Sequence, residues 1–201
     1  MNKMSKKVYL SPPNLIGKEL QLINDAIKSN WISPFGPHID LFEKKITKYL
    51  NRNYATALSS GTAALHLALK VLGIRKGDSV FCSDLTFVAS ANAIKYVEAK
   101  PVFIDSDLAT WNMCPKALEK GFSMYSPKAV IVTDLYGQSA NYNDLIEICK
   151  KYNTPIIEDS AESLGAEYEG KKCGSFGDIS ILSFNGNKII TTSSGGMLLS
   201  D

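Results

Sequence analysis

Apolar positions along the chain follow two different rhythms. Near the amino terminus, Leu20, Ile23 and Ile27 recur at i, i+3, i+7 within residues 17–29, the spacing that predicts an amphipathic helix. Ile39, Phe42, Ile46 and Leu50 repeat the pattern and predict a second helix. Between them, Trp31-Ile32-Ser33-Pro34-Phe35-Gly36-Pro37 is rich in helix breakers. It reads as a packed surface turn in preference to a loop facing a substrate.

From Tyr54 the rhythm changes. Short apolar runs at 55–58, 79–82, 101–104, 129–133, 155–158, 179–183 and 197–199 suit buried strands. Helical stretches at 62–72, 88–97, 115–125 and 142–152 lie between most of them. Such alternation predicts an α/β three-layer sandwich, a mostly parallel sheet covered on both faces by helices. Ligands of these sheets gather at the carboxyl ends of the strands, where loops meet helix N-termini.

Composition narrows the function class more than the fold. The 201 residues are 45% apolar and 21% charged, with a net charge of +2. Both signs are scattered, so there is no electrostatic footprint for nucleic acid or an anionic membrane. The apolar runs are far too short to span a bilayer, and the basic opening residues precede no signal-peptide core. A cytoplasmic protein is expected. Cys82, Cys114, Cys149 and Cys173 are widely spaced and form no Cys-x-x-Cys pair, and His38 and His66 are the only histidines. Reduced, mostly buried thiols are expected, with neither a metal site nor a disulfide framework.

Three segments carry chemistry. In Leu58-Ser59-Ser60-Gly61-Thr62-Ala63-Ala64 a strand ends, small residues turn the chain, and a helix begins. Small side chains let backbone N–H groups approach a phosphate, and the helix dipole favours the anion; the same residues also suit a plain helix cap. His66, amid leucines, reads as a packed helix residue. In Pro155-Ile156-Ile157-Glu158-Asp159-Ser160-Ala161-Glu162 an apolar strand delivers carboxylates at its end, where one can keep a cationic ring nitrogen protonated. The alternative is that Asp159 or Ser160 caps a short helix. In the third segment, Lys188 is the only charged residue between Ile179 and Ser200. Desolvation favours the free amine that condenses with an aldehyde, whereas a solvated loop lysine would have no such character.

Together these segments resemble the DegT/DnrJ/EryC1/StrS family of pyridoxal-phosphate (PLP) sugar aminotransferases. Thr86-Phe87-Val88-Ala89-Ser90, Pro101-Val102-Phe103-Ile104-Asp105, Asp134-Leu135-Tyr136-Gly137-Gln138 and Gly195-Gly196-Met197 extend the likeness over nearly the whole chain. Within the family the wording is closest to amino-sugar transferases of exopolysaccharide and bacillosamine-type pathways. The resemblance implies the aspartate-aminotransferase type of fold (PLP fold type I). Residues 1–50 would form a helical segment packing on a large PLP-binding domain, 51–201. Complete relatives are longer, so the chain is expected to be an amino-terminal portion that stops before the small carboxyl-terminal domain.

The resemblance also implies roles. Lys188 would bond covalently to the cofactor aldehyde and then shuttle a proton at the substrate carbon. Asp159 would hold the ring nitrogen protonated, and Phe87 would stack on the ring. Gly61, Thr62 and Ala63 would lie at the phosphate, with Ser183 reaching it from the strand before the lysine. Glu162 stands where many relatives carry Gln, near the reactive amine. Ser193-Ser194 replaces a Gly-Glu pair common in relatives. Lysine rather than histidine at 188 implies transamination rather than the deoxygenation of related dehydratases. The expected reaction moves an amino group from glutamate to a nucleotide-linked 4-keto-6-deoxy sugar, in a homodimer. The alternative is a non-catalytic ligand-binding or interaction module on the same fold.

Overall fold

A computed structural model of the chain describes residues 7–9 and 11–201. Two helices lead, α1 (Glu19–Lys28) and α2 (Pro37–Leu50). Strand and helix then alternate through β1 (Tyr54–Leu58), α3 (Gly61–Val71), β2 (Ser79–Ser83), α4 (Ala89–Tyr96) and β3 (Lys100–Ile104). The series continues with α5 (Pro115–Met124), β4 (Ala129–Thr133), α6 (Tyr142–Lys151) and β5 (Ile156–Asp159). A small hairpin, β6 (Glu167–Tyr168) and β7 (Lys171–Lys172), precedes β8 (Ile179–Ser183) and β9 (Gly196–Ser200). The expected elements are therefore present, with ends shifted by one or two residues.

Seven strands form one sheet in the order β1-β9-β8-β5-β4-β2-β3. Only β9 departs from the expected direction, running antiparallel to both β1 and β8. The 184–195 connection contains no helix to carry the chain across a face, so the strand returns beside its predecessor. β4 is buried along its whole length, as a central strand covered on both faces requires. Pro101, which has no N–H to give a ladder, sits on the edge strand β3.

Alternation along each strand divides the core. Val80, Cys82, Ile131 and Ile157 face one side, where they meet Leu65, Leu69, Ala93 and Ile94 of α3 and α4. Their neighbours Phe81, Val130, Val132 and Ile156 face the other, against Leu118 and Phe122 of α5 and Tyr142 and Leu145 of α6. A third cluster joins Ile46 and Leu50 of α2 to Leu182, Phe184, Met197 and Leu199.

The first helix behaves differently. No residue of α1 is buried, and its apolar stripe of Leu20, Ile23 and Ile27 stays exposed. The following turn is exposed too, at Ile32 and Phe35, so it is not the packed turn expected; only the Trp31 ring folds back, against Gly36. Helical periodicity reveals an apolar face without saying what covers it. Among the described residues, no helix is long and apolar enough to cross a membrane. All four cysteines are free, three of them buried.

Candidate active site at the carboxyl ends of the strands

The ends of β1, β5 and β8 surround a cavity of about 320 Å³. Its walls include Ser60, Gly61, Thr62, Phe87, Asp159, Glu162, Ser183 and Lys188, which brings together seven of the eight positions singled out in the sequence.

The cradle at β1 is made by close backbone approach. Ser60 caps α3, its Oγ accepting the Ala63 N–H at 3.1 Å. Ala63 thus spends its N–H on the cap, leaving the turn at Ser60, Gly61 and Thr62 to face the cavity. Opposite them lies Ser183, so near that a Cβ on Gly61 would come within 2.9 Å of the Ser183 Cβ. Behind, Gly196 presses on the Ser60 carbonyl and the Gly61 nitrogen, leaving no space for a side chain. An 11-residue helix pointing its N-terminus into a cavity lined by hydroxyls favours an anion there.

Asp159 ends β5 and is only 4% exposed. Its Oδ2 accepts the Ser90 hydroxyl at 2.9 Å and its Oδ1 the Ala161 N–H at 3.2 Å. Ser90 is joined in turn to Thr86, and Thr86 to Thr133. Burial pushes the Asp159 carboxyl above its ordinary value, although these hydrogen bonds oppose the shift. A buried carboxylate with hydrogen bonds but, among the described residues, no ion pair, facing a cavity, suits a ligand's positive charge. Asp159 is part of β5 and does not serve as a helix cap.

Lys188 follows β8 on a loop tied back by Lys188 N–H to Asn185 O at 2.9 Å and Thr192 N–H to Phe184 O at 3.0 Å. Its side chain is largely buried, and its Nζ lies 2.9 Å from Glu162 Oε1. The amine is therefore held in an ion pair, not isolated in an apolar pocket as desolvation alone would have it. Glu162 Oε2 accepts the Tyr136 N–H at 2.8 Å, so the carboxylate is fixed from both ends. Phe87, 67% exposed, forms part of the wall with an aromatic face available for stacking.

Sequence reasoning did not assign roles to Ser90, Thr133, Asn185 or Asn187, which support or line the same cavity. Ser90 and Asn185 lay inside recognised stretches, but a small polar residue at a helix start gives no sign of which carboxylate it will meet. His66 bridges α3 to α4, with its ring 5.8 Å from that of Tyr96.

A profile of the DegT/DnrJ/EryC1/StrS aminotransferase family matches residues 13–201. EpsN of Bacillus subtilis (strain 168), named as a pyridoxal phosphate-dependent aminotransferase, is 53% identical over 98% of this chain and 52% of its own length. The GDP-perosamine synthase of Escherichia coli O157:H7 is 44% identical over 98% of this chain and 54% of its own. Among solved structures, the PLP form of Spr1654 from Streptococcus pneumoniae, named as a sugar aminotransferase, superposes with a TM-score of 0.90 at 30% identity. It is matched over 98% of this chain and 53% of its own. The chain spans about half the length of the curated relatives it matches.

Proposed function

The chain belongs to the DegT/DnrJ/EryC1/StrS aminotransferase family, and from that premise we propose that it is the cofactor-binding part of a PLP-dependent sugar aminotransferase. The amino donor is glutamate and the acceptor a nucleotide-linked 4-keto-6-deoxy sugar. One observation carries this reading: Lys188 and the buried carboxylate Asp159 line one cavity with a hydroxyl-rich helix N-terminus. A phosphorylated pyridine aldehyde has three matching features, an aldehyde for the amine, a ring nitrogen for the carboxylate, and a phosphate for the helix. The cavity volume and the exposed Phe87 ring suit a flat aromatic group.

When bound, PLP supplies an electron sink for the carbanion formed where the amino group changes hands. The protein's part is to hold and to move protons. The turn at Ser60, Gly61 and Thr62, with Ser183, holds the phosphate. Asp159 keeps the proton on the ring nitrogen, its ionised form being favoured once that positive charge faces it. Phe87 covers one ring face. Lys188 Nζ would move a proton between the reacting substrate carbon and the cofactor, off the donor carbon in one half of the exchange and onto the acceptor carbon in the other, while Glu162 orients the amine.

Relatives' names support the substrate class. One is the UDP-4-amino-4,6-dideoxy-N-acetyl-beta-L-altrosamine transaminase of Campylobacter jejuni, 37% identical. Transamination replaces a carbonyl by an amine, so a 4-amino-6-deoxy product requires a 4-keto-6-deoxy precursor. We further propose that residues 1–50 form a segment distinct from the cofactor domain at 51–201, and that two copies associate in the cytoplasm. The exposed apolar stripe of α1 and the Trp31–Phe35 turn support burial against another surface. Free thiols suit a reducing compartment.

The test is to incubate the chain with PLP, glutamate and GDP- or UDP-linked 4-keto-6-deoxy sugars and measure 2-oxoglutarate and amino sugar. Equal amounts of both, absent in Lys188→Ala, are expected. PLP binding without amino transfer, in protein shown to be dimeric, would favour a binding module.

A further inference from the structure

Asp134, directly after β4, is fully buried and makes four hydrogen bonds. Its Oδ1 takes the Ala140 N–H at 3.0 Å and the Tyr142 hydroxyl at 2.9 Å. Its Oδ2 takes the Ser163 hydroxyl at 2.9 Å and lies 3.1 Å from the Ser160 hydroxyl oxygen. These partners come from separate segments with one thing in common. Ala140 closes the loop that starts at Asp134 and carries Tyr136. Ser160 and Ser163 bracket Glu162. The Tyr136 N–H and Glu162 Oε2 meet at 2.8 Å, and the other Glu162 oxygen meets Lys188. One carboxyl group therefore fixes both partners of the bond that orients Glu162.

We propose that Asp134 is a positioning residue for the lysine site, stapling the 134–140 loop to the 160–163 turn so that the Tyr136 N–H aims Glu162 at the Lys188 amine. Tyr136 has φ 53°, a state that a large residue holds only when its surroundings over-determine it. Asn112 helps from below, accepting the Leu135 N–H and donating to Gln138 O, both at 2.8 Å. The meaning for amino transfer rests on the function proposed above; the staple itself does not.

The staple works in its protonated form. Ser160 has one hydroxyl proton, yet its Oγ lies against both Asp134 Oδ2 and, at 3.0 Å, Glu158 Oε1. Both contacts are full hydrogen bonds when one carboxyl brings a second proton. Glu158 already accepts the N–H groups of Gly174, Phe176 and Gly177 and the Ser180 hydroxyl, a set that suits an anion. Asp134 is pushed up to about 7, by burial first and the Glu158 charge second. The other titratable groups at the cluster, Tyr142 from α6 and Cys173 after β7, are both raised by burial and stay neutral. Asparagine would stand in for protonated Asp134, with a carbonyl toward Ala140 and Tyr142 and an N–H donor toward Ser160, the Ser163 hydroxyl turning to accept the second N–H.

Lys188 acylation by acetic anhydride in the cofactor-free chain, read by peptide mass spectrometry at fixed pH, tests this. Asp134→Ala should raise Lys188 labelling about fivefold as the largely buried amine loses its ion-pair partner, with Lys95 and Lys172 labelling unchanged. Glu162→Gln should raise it equally, and the double variant no further. Asp134→Asn should label like the original chain. Should Asp134→Ala fail to fold, Ser163→Ala cuts one arm of the staple and should give a smaller rise, again absent beside Glu162→Gln. Unchanged labelling in a folded Asp134→Ala or Ser163→Ala, or a rise that persists in full beside Glu162→Gln, overturns the proposal. Because no amino transfer is measured, the inference can stand or fall apart from the proposed reaction.

Discussion

Glu158 and Asp159 are consecutive on β5 and both buried, yet their carboxylates face opposite sides of the sheet into opposite surroundings. Glu158 accepts five hydrogen bonds from Ser160, Gly174, Phe176, Gly177 and Ser180. Asp159 accepts two and borders the cavity. One acid is used up by the fold and its neighbour is left available. Asp159→Asn should therefore lower amino transfer by about 10²–10⁴-fold, the scale of a lost proton-holding group. Its melting temperature should hold or rise, because a buried carboxyl is exchanged for a neutral amide. Glu158→Gln should do the reverse to stability, costing about 2–3 kcal/mol as anion-directed donors meet an amide. Thermal melts beside steady-state rates separate the two.

Asp134 gives stability a pH dependence whose sign follows from its environment. Its carboxyl rises from 3.8 to about 7 on folding. Between those values the native state holds a proton that the unfolded chain releases, so stability falls as pH rises through that window and levels off above it. Asp159, also raised by burial, acts in the same direction. Relative to Asp134→Asn, the original chain should lose melting temperature between pH 5 and pH 8. Parallel curves would mean that Asp134 is ionised throughout.

Gly196 offers a geometric test of the phosphate cradle. A Cβ there would collide with the Ser60 carbonyl group and the Gly61 nitrogen, which are backbone and cannot swing aside. Gly196→Ala should push β9 from the start of α3, costing about 1–3 kcal/mol. Affinity for inorganic phosphate, followed by calorimetry, should fall with it. Gly186→Ala, where a Cβ meets nothing within 4 Å, is the control and should change neither.

Most of the fold was legible because each strand and helix announces itself locally. The runs at Ala129–Thr133 and Ile179–Ser183 are apolar enough to be strands in any register, and the helices between them carry their own periodicity. The reversal of β9 was not legible, since direction depends on whether a helix fills the 184–195 connection. Nor was the β6–β7 hairpin, although Glu169 and Gly170 at φ 50° and 78° form the positive-φ turn that tight hairpins favour. At the site, Lys188 and Asp159 stood out by contrast with apolar neighbours. The staple at Asp134 did not, because Ala140, Ser160 and Ser163 become its partners only once β4 and β5 pair side by side. The family resemblance implies Ala63 at the phosphate; which N–H groups at that helix start stay free depends on the cap, and Ser60 Oγ accepts the Ala63 N–H.

Lys188 separates holding the cofactor from using it. The helix cradle, Asp159 and Phe87 stay in place when the amine is removed, so Lys188→Ala should still bind PLP, more weakly, through the phosphate and the ring. It should lose the covalent step: after borohydride reduction the original chain should gain the mass of one reduced cofactor at the Lys188 peptide, and Lys188→Ala none. Amino transfer should fall by at least about 10²-fold, since among the described residues no other amine contributes to the cavity wall to carry the proton. Glu162→Gln should retain covalent capture while lowering the rate several-fold, because the carbonyl of Gln still accepts the Tyr136 N–H but no longer pairs with the ammonium. Covalent capture in Lys188→Ala at another lysine would move the reactive amine elsewhere and undo the assignment.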